Sequence, residues 1–180
     1  MTRSRIPDGA DFATLRDLLA AKGGQLLVKV LRDMLAGTAS AQPQDLAPDA
    51  PNAPLLRPED SLVDFVTMDA DAIVRRHRGI AHQRPLYTFL QSGSMLQLHG
   101  LTTEESVAGV EDLSKPGMAK YHSKYKALTV RAANDSILLV SEVKQQDRVQ
   151  LQAKAWWNGV RPGDRAIEGA HDGPVLFQSQ

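Results

Sequence analysis

The stretch Gln42–Ile80, QPQDLAPDAPNAPLLRPEDSLVDFVTMDADAIVRRHRGI, decides how this 180-residue chain is divided. Its first half is acidic and rich in proline and alanine, with no apolar periodicity, so it reads as an extended connector. Its second half ends in a short helix predicted over 68–79, with Thr67 as the expected cap and Asp69 and Asp71 in the first turn. Ala70, Ile73, Val74 and His77 share one face of that helix, which turns Arg75 and Arg78 away from it. Cations near a helix C-terminus also complement the dipole, so capping alone is a sufficient reason for the arginines.

The pieces on either side follow different patterns. Upstream, Leu15, Leu18 and Leu19 form one apolar stripe and Leu26, Leu27, Val30, Leu31, Met34 and Leu35 a second. With Gly23-Gly24 between them, the pattern predicts two consecutive helices over 11–37, a hairpin whose stripes need a partner surface. Downstream, Tyr87–Leu90 and Met95–His99 bracket a Ser-Gly turn, and strands are expected over Gly117–His122, Ala127–Ala132 and Ser136–Val143, with a turn at Asn134-Asp135. Asp147–Asn158 is compatible with a strand, a helical turn, or both in succession. About five short strands in so few residues predict a small β-barrel. Gly100–Pro116 reads as a surface insertion and the segment after Gly159 as a flexible tail. The fold class is therefore α+β, divided as helices at 1–37, linker at 38–66, barrel at 67–160 and tail at 161–180.

The net charge of zero conceals a strong alternation. Gln42–Ala72 carries seven acids and one base, and Leu86–Ser114 four acids and no base. Ile73–Gly79 has three arginines and no acid, and Lys115–Arg165 has ten bases against four acids. Such a block is either an anion-binding face or the ordinary solvation of a small β domain. No apolar run reaches the roughly 18 residues of a membrane span, so no membrane partner is expected. There is no cysteine, which removes disulfides and thiolate chemistry. Arg3, Arg5 and Arg16 are followed by no apolar segment, and Asp8 and Asp11 oppose a transit peptide, so no targeting peptide is expected.

No catalytic set is visible. His77, His82, His99, His122 and His171 show no metal-ligand spacing, and neither a phosphate loop nor a nucleophile elbow is present. Binding is the chemistry that remains. Lys120, Lys124, Lys126 and Arg131, interleaved with Tyr121 and Tyr125, could grip a phosphate backbone with occasional stacking. Lys144, Arg148, Lys154 and Arg161 would extend that surface, and Trp156-Trp157 either edge it or close the barrel core.

Several of these segments resemble, in order, the methionyl-tRNA formyltransferases, most closely the fungal mitochondrial members. Ile6-Pro-Asp-Gly, Leu15, Leu18-Leu19, Gly24 and Leu26-Leu27 are similar to the stretch that closes the family's catalytic domain. Pro43-Gln44-Asp45 and Ala53-Pro54-Leu55 resemble the linker, and Asp60, Asp64-Phe65, Ile73 and Arg78 the helix that opens the C-terminal domain, with Phe65 where the family usually has Trp. The strands from Gly117 to Val143 and Trp157-Asn158-Gly159 resemble the OB-like barrel.

The resemblance implies a helical hairpin left from a Rossmann-like formyltransferase domain, a linker and an OB-like barrel. In the family, the formyl group passes from 10-formyltetrahydrofolate to the methionine of initiator methionyl-tRNA. That transfer depends on an Asn, a His in a Ser-Leu-Leu-Pro loop and an Asp, none of which is matched here. The expectation is a C-terminal portion, from a truncated gene model or a shortened paralogue. It would have no catalytic residue, metal or cofactor of its own and would act as a monomer in the mitochondrial matrix. Arg75, Arg76, Arg78, Lys120, Lys124, Lys126, Arg131, Lys144, Arg148 and Lys154 are the candidate tRNA contacts. A free-standing OB-like nucleic-acid binder, or the C-terminal domain of a formyltransferase acting on a nucleotide sugar, are the alternatives.

Overall fold

In a computed structural model of the chain, residues 5–41, 43, 53–166 and 173–179 are described. The chain divides into two units, Met1–Leu56 and Arg57–Gln180.

Among its described residues the first unit contains one helix, α1 (Phe12–Leu35), where the sequence predicts a hairpin. Gly23 and Gly24 do not break it. Each glycine costs about 1 kcal/mol relative to alanine, and the flanking Leu-Leu-Ala-Ala-Lys and Gln-Leu-Leu-Val-Lys segments are strong helix formers. Asp11 caps the start by accepting from the Thr14 amide at 2.8 Å, and that bond holds its carboxyl below the usual range. Lys29 and Asp33 pair at 2.6 Å one turn apart. No residue of α1 is buried, and Leu19, Leu26, Leu27, Val30, Leu31 and Met34 are all exposed. Of the expected linker, 42 and 44–52 lie outside the described residues, Asp45 included. Its last part, from Arg57, belongs to the second unit: Val63 and Phe65 are buried, and the Val63 amide donates to the Tyr87 carbonyl at 2.9 Å.

The second unit is a curled antiparallel sheet with two helices. Helix α2 (Ala70–Ile80) begins at Asp69, whose side chain accepts from the Ala72 amide at 2.7 Å. Thr67, the expected cap, instead donates its hydroxyl to Asp64 at 2.7 Å. The strands are β1 (Leu86–Phe89), β2 (Met95–Thr103), β3 (Met118–His122), β4 (Ala127–Arg131), β5 (Ile137–Gln145), β6 (Gln150–Gln152) and β7 (Val175–Leu176), with α3 (Ala153–Asn158) after β6. Their order is β1-β2-β5-β4-β3-β7, with β6 on β5. Asp147–Asn158 thus holds both a strand and a helix.

Leu96, Leu98, Leu128, Val130, Leu138, Val140 and Val143 fill the concave face with α2's Ile73 and Val74 and α3's Trp156 and Trp157. The inward set shifts by one residue midway along β2 and β5: Leu98 pairs with Val143, and the next inward pair is Leu101 with Val140. At the shift Gly100 adopts φ +60, and a Cβ there would meet Ser141 Oγ at 2.0 Å. This is where the two long strands bend.

Two expectations fail in the same direction. The 161–180 tail contributes β7 to the sheet: Val175 and Phe177 are buried, and Gln178 and Phe89 exchange backbone hydrogen bonds at 2.8 and 3.0 Å. β7 pairs with β3, and Gln178 just beyond it bridges Phe89 of β1, so this segment carries the sheet back towards its opposite edge. Gly117, at φ +85, lets it pass, because a Cβ there would lie 2.4 Å from the Phe177 carbonyl oxygen. The Gly100–Pro116 segment is not a free insertion either. Its first residues extend β2 to Thr103, Leu113 is fully buried, and Val107 and Val110 cover Ala127, Ile137 and Leu139 on the convex face.

Candidate nucleic-acid interface

The ten candidate cations fall into two sets with different surroundings. Burial of Ile73 and Val74 fixes the rotation of α2, and the Ala70 amide bond to Ser136 Oγ (2.9 Å) ties its first turn to the loop before β5. Arg75, Arg76 and Arg78 are consequently exposed. Arg76 donates to the Leu62 carbonyl at 3.3 Å; no ion pair among the described residues engages Arg75 or Arg78.

The same side of the molecule continues onto β2 and β5. Gln97 and His99 stand there cross-strand from Lys144 and Glu142, and the His99 ring is half-buried with its Nε2 shielded from solvent. Burial lowers the pKa of His99, and Glu142 raises it against Lys144. His77 of α2 is lowered by burial first, then by His99 and Arg78. His77 and His99 thus lie close enough to influence one another, as do His99 and Lys144. Lys144 is exposed and pairs across the ladder with Gln150 of β6. Arg148, in the turn between those strands, and Lys154, on the solvent side of α3, extend the set. Glu142 is occupied by the amides of Gln150 and Gln152.

The second set lies on the β3–β4 hairpin, and much of its charge is already matched. Lys120 pairs with Asp112 at 2.8 Å. Arg131 donates to the Leu113 carbonyl at 2.8 Å and to Asp135 at 2.5 Å. Both acceptor groups on the 104–114 segment belong to the acidic loop that covers this face. Lys124 sits 5.1 Å from the Tyr125 ring centroid, and Lys126 occupies the turn at φ 52; both are exposed. Tyr121 packs against the core and Tyr125 against the convex cluster, so neither is a free stacking platform. Trp156 and Trp157 close the core, with the Arg165 guanidinium 4.1 Å from the Trp157 ring. Arg161 is exposed, and His171 lies outside the described residues.

Grooves among the described residues differ in lining. One of about 350 Å³ is acidic, lined by Asp69, Asp71, Glu104, Glu105 and Asp135. One of about 410 Å³ lies over Glu142, Gln150 and Gln152. One of about 360 Å³, which the sequence did not point to, lies against Tyr87 and Phe89. None of the three is lined by a histidine, and among the described residues no cluster of His, Cys, Asp and Glu could hold a metal ion.

A curled antiparallel sheet closed by helices, with exposed cations on α2, β5 and α3, is the architecture of this domain. Residues 55–161 match the formyl transferase C-terminal domain, and the chain belongs to that family. It is 36% identical over 118 residues to the methionyl-tRNA formyltransferase of Acidobacterium capsulatum, covering 66% of this chain and 36% of the relative. It is 29% identical to that of Syntrophus aciditrophicus over 156 residues (86% and 46%) and 28% identical to that of Bdellovibrio bacteriovorus over 166 residues (91% and 50%). The chain thus spans half or less of the length of these relatives. In fold it resembles HypX from Aquifex aeolicus, with a TM-score of 0.61 at 16% identity over 86% of this chain and 27% of that one. HypX in complex with tetrahydrofolic acid aligns at a TM-score of 0.53 and 14% identity, over 87% of this chain and 26% of that one.

Proposed function

We propose that this chain provides the tRNA-gripping, OB-like C-terminal part of a methionyl-tRNA formyltransferase. In that enzyme, initiator methionyl-tRNA receives a formyl group from 10-formyltetrahydrofolate, and a separate N-terminal domain carries the chemistry. The resemblance to fungal mitochondrial members supports a role in mitochondrial translation initiation, with the chain acting as a monomer. The observation that carries the reading is the exposed set Arg75, Arg78, Lys144, Arg148 and Lys154, without ion-pair partners among the described residues, on a formyl transferase C-terminal domain. Solvated arginines and lysines displace counterions from phosphates, which gives affinity by charge and shape without reading bases.

Binding of labelled initiator tRNA across a salt series tests this. The logarithm of affinity is expected to fall linearly with the logarithm of salt, with a slope of about −0.7 or steeper for each phosphate contacted. Salt-independent binding, or none at low salt, would sink the proposal. The purified chain is expected to transfer no formyl group to methionyl-tRNA, and measurable turnover would place catalysis within it.

A further inference from the structure

The groove beside β1 contains none of the ten cations yet has the composition of a ligand site. Three segments converge on it: the short turn Pro58–Ser61, the α2–β1 connection and the outward face of β1 and β2. Tyr87 and Phe89 alternate outward from the buried Leu86 and Thr88, and their rings meet edge to face with centroids 5.6 Å apart. Met95 and Gln97 stand cross-strand from them. Ser61 contributes to the lining although the residue is 2% exposed, and its hydroxyl has no hydrogen-bond partner. A buried unpartnered hydroxyl costs free energy that an occupant with a polar edge would recover.

We propose that this groove is a stacking site for one unpaired ribonucleotide of the bound RNA. The inference rests on the tRNA-binding reading and adds a subsite to it. A volume of about 360 Å³ falls within the roughly 300–1,000 Å³ of small-ligand pockets. The Tyr87 and Phe89 rings offer a π surface to a base, which every base can use. The amides of Gln83 and Gln97 carry both donors and acceptors, which suits the edge of a base. Arg84 is the sole charged residue lining the groove, and no acid accompanies it, so the charge there matches a phosphate. A proline-rich peptide would fill the aromatic wall but leave both glutamine amides and Ser61 unpaired and Arg84 without a counter-ion.

The test follows the Met95 methyl resonance of the full chain during titration with adenosine 5′-monophosphate, together with the affinity for a five-nucleotide single-stranded RNA. Stacking is expected to shift the Met95 methyl by ring current. Tyr87→Ala is expected to abolish the shift and weaken the oligonucleotide about ten-fold, whereas Tyr87→Phe retains both. An unmoved Met95 methyl at millimolar nucleotide, or one moved only by a proline-rich peptide, overturns the proposal. If Tyr87→Ala lowers the melting temperature, Gln97→Ala replaces it, with loss of oligonucleotide affinity expected and unchanged affinity overturning the proposal. An R75A/R78A/K144A variant separates the two readings. A nucleotide-induced shift in a chain that never binds tRNA supports the groove and strikes the tRNA reading. Salt-sensitive tRNA binding with no shift strikes the groove alone.

Discussion

The α2–β5 side and the β3–β4 hairpin are both basic in sequence, but they differ in how many of their cations already hold a partner. On the hairpin, Lys120 faces Asp112, and Arg131 is bonded to the Leu113 carbonyl and Asp135. On the other side Arg75, Arg78 and Lys144 project from a helix and a strand whose opposite faces are buried. A cation with a fixed internal partner has its field compensated, and a phosphate must displace that partner to bind. The density of Lys and Arg along the chain does not distinguish cations that already hold a partner, such as Lys120 and Arg131, from those that do not.

Breaking this asymmetry is the first test. Replacing Arg75, Arg78 and Lys144 together with alanine is expected to weaken tRNA binding on the order of a hundred-fold at low salt, with unchanged melting. Lys120→Ala should leave affinity nearly unchanged and cost about 0.5 kcal/mol, since its ion pair is partly exposed. An affinity loss from Lys120→Ala equal to that of the triple variant would make the two faces equivalent.

Stability variants sharpen the same contrast. Gly117→Ala places a Cβ against the Phe177 carbonyl at a positive φ and is expected to cost about 1–3 kcal/mol, with faster amide exchange in β7. Unaltered exchange at Phe177 would mean that β7 is not held by that close approach. Arg131→Ala removes two hydrogen bonds of a partly buried guanidinium, for a loss of about 1–2 kcal/mol in urea unfolding. Increased proteolysis within 104–114 should accompany it, since the loop loses an anchor.

The smallest effect is on pH. The folded pKa values of His77 and His99 lie below the ordinary 6.5, mainly through burial. The unfolded chain therefore binds more protons below that value, and stability is expected to fall as pH drops through 6.5 towards the folded values. Above 6.5 the two contribute nothing to the slope. A His77→Asn/His99→Asn variant should flatten the slope below pH 6.5 in thermal melts; an unchanged profile would assign it to the carboxylates.

Local signals were legible where structure depends on near neighbours. The period-3.6 placement of Ile73 and Val74 predicts the buried face of α2, and Asn134-Asp135 marks a turn where both residues have positive φ. The expected strands differ from the observed ones by a residue or two at most ends. Gly23-Gly24, by contrast, reads as a break because a doubled glycine is the strongest local punctuation, yet its cost is spread over a 24-residue helix of good formers. The two-residue β7 has no periodicity to detect; its partners, Met118 and Ala119, are more than 50 positions away, as is Phe89, the partner of Gln178. The groove at Tyr87 was invisible for the same reason, since Ser61, Arg84 and Gln97 converge only after α2 and β1 have docked.

The order of linker, arginine-tipped helix and short strands, with no acid–base set, is sequence information, because propensity, periodicity and residue chemistry act over a few positions. The family follows from that order. Which cations are free, where the tail goes and which aromatic pair borders a groove were decided by tertiary structure. Each depends on a partner distant along the chain, an Asp112 for Lys120 or a Gly117 that lets Phe177 pass, and no local pattern records such pairings.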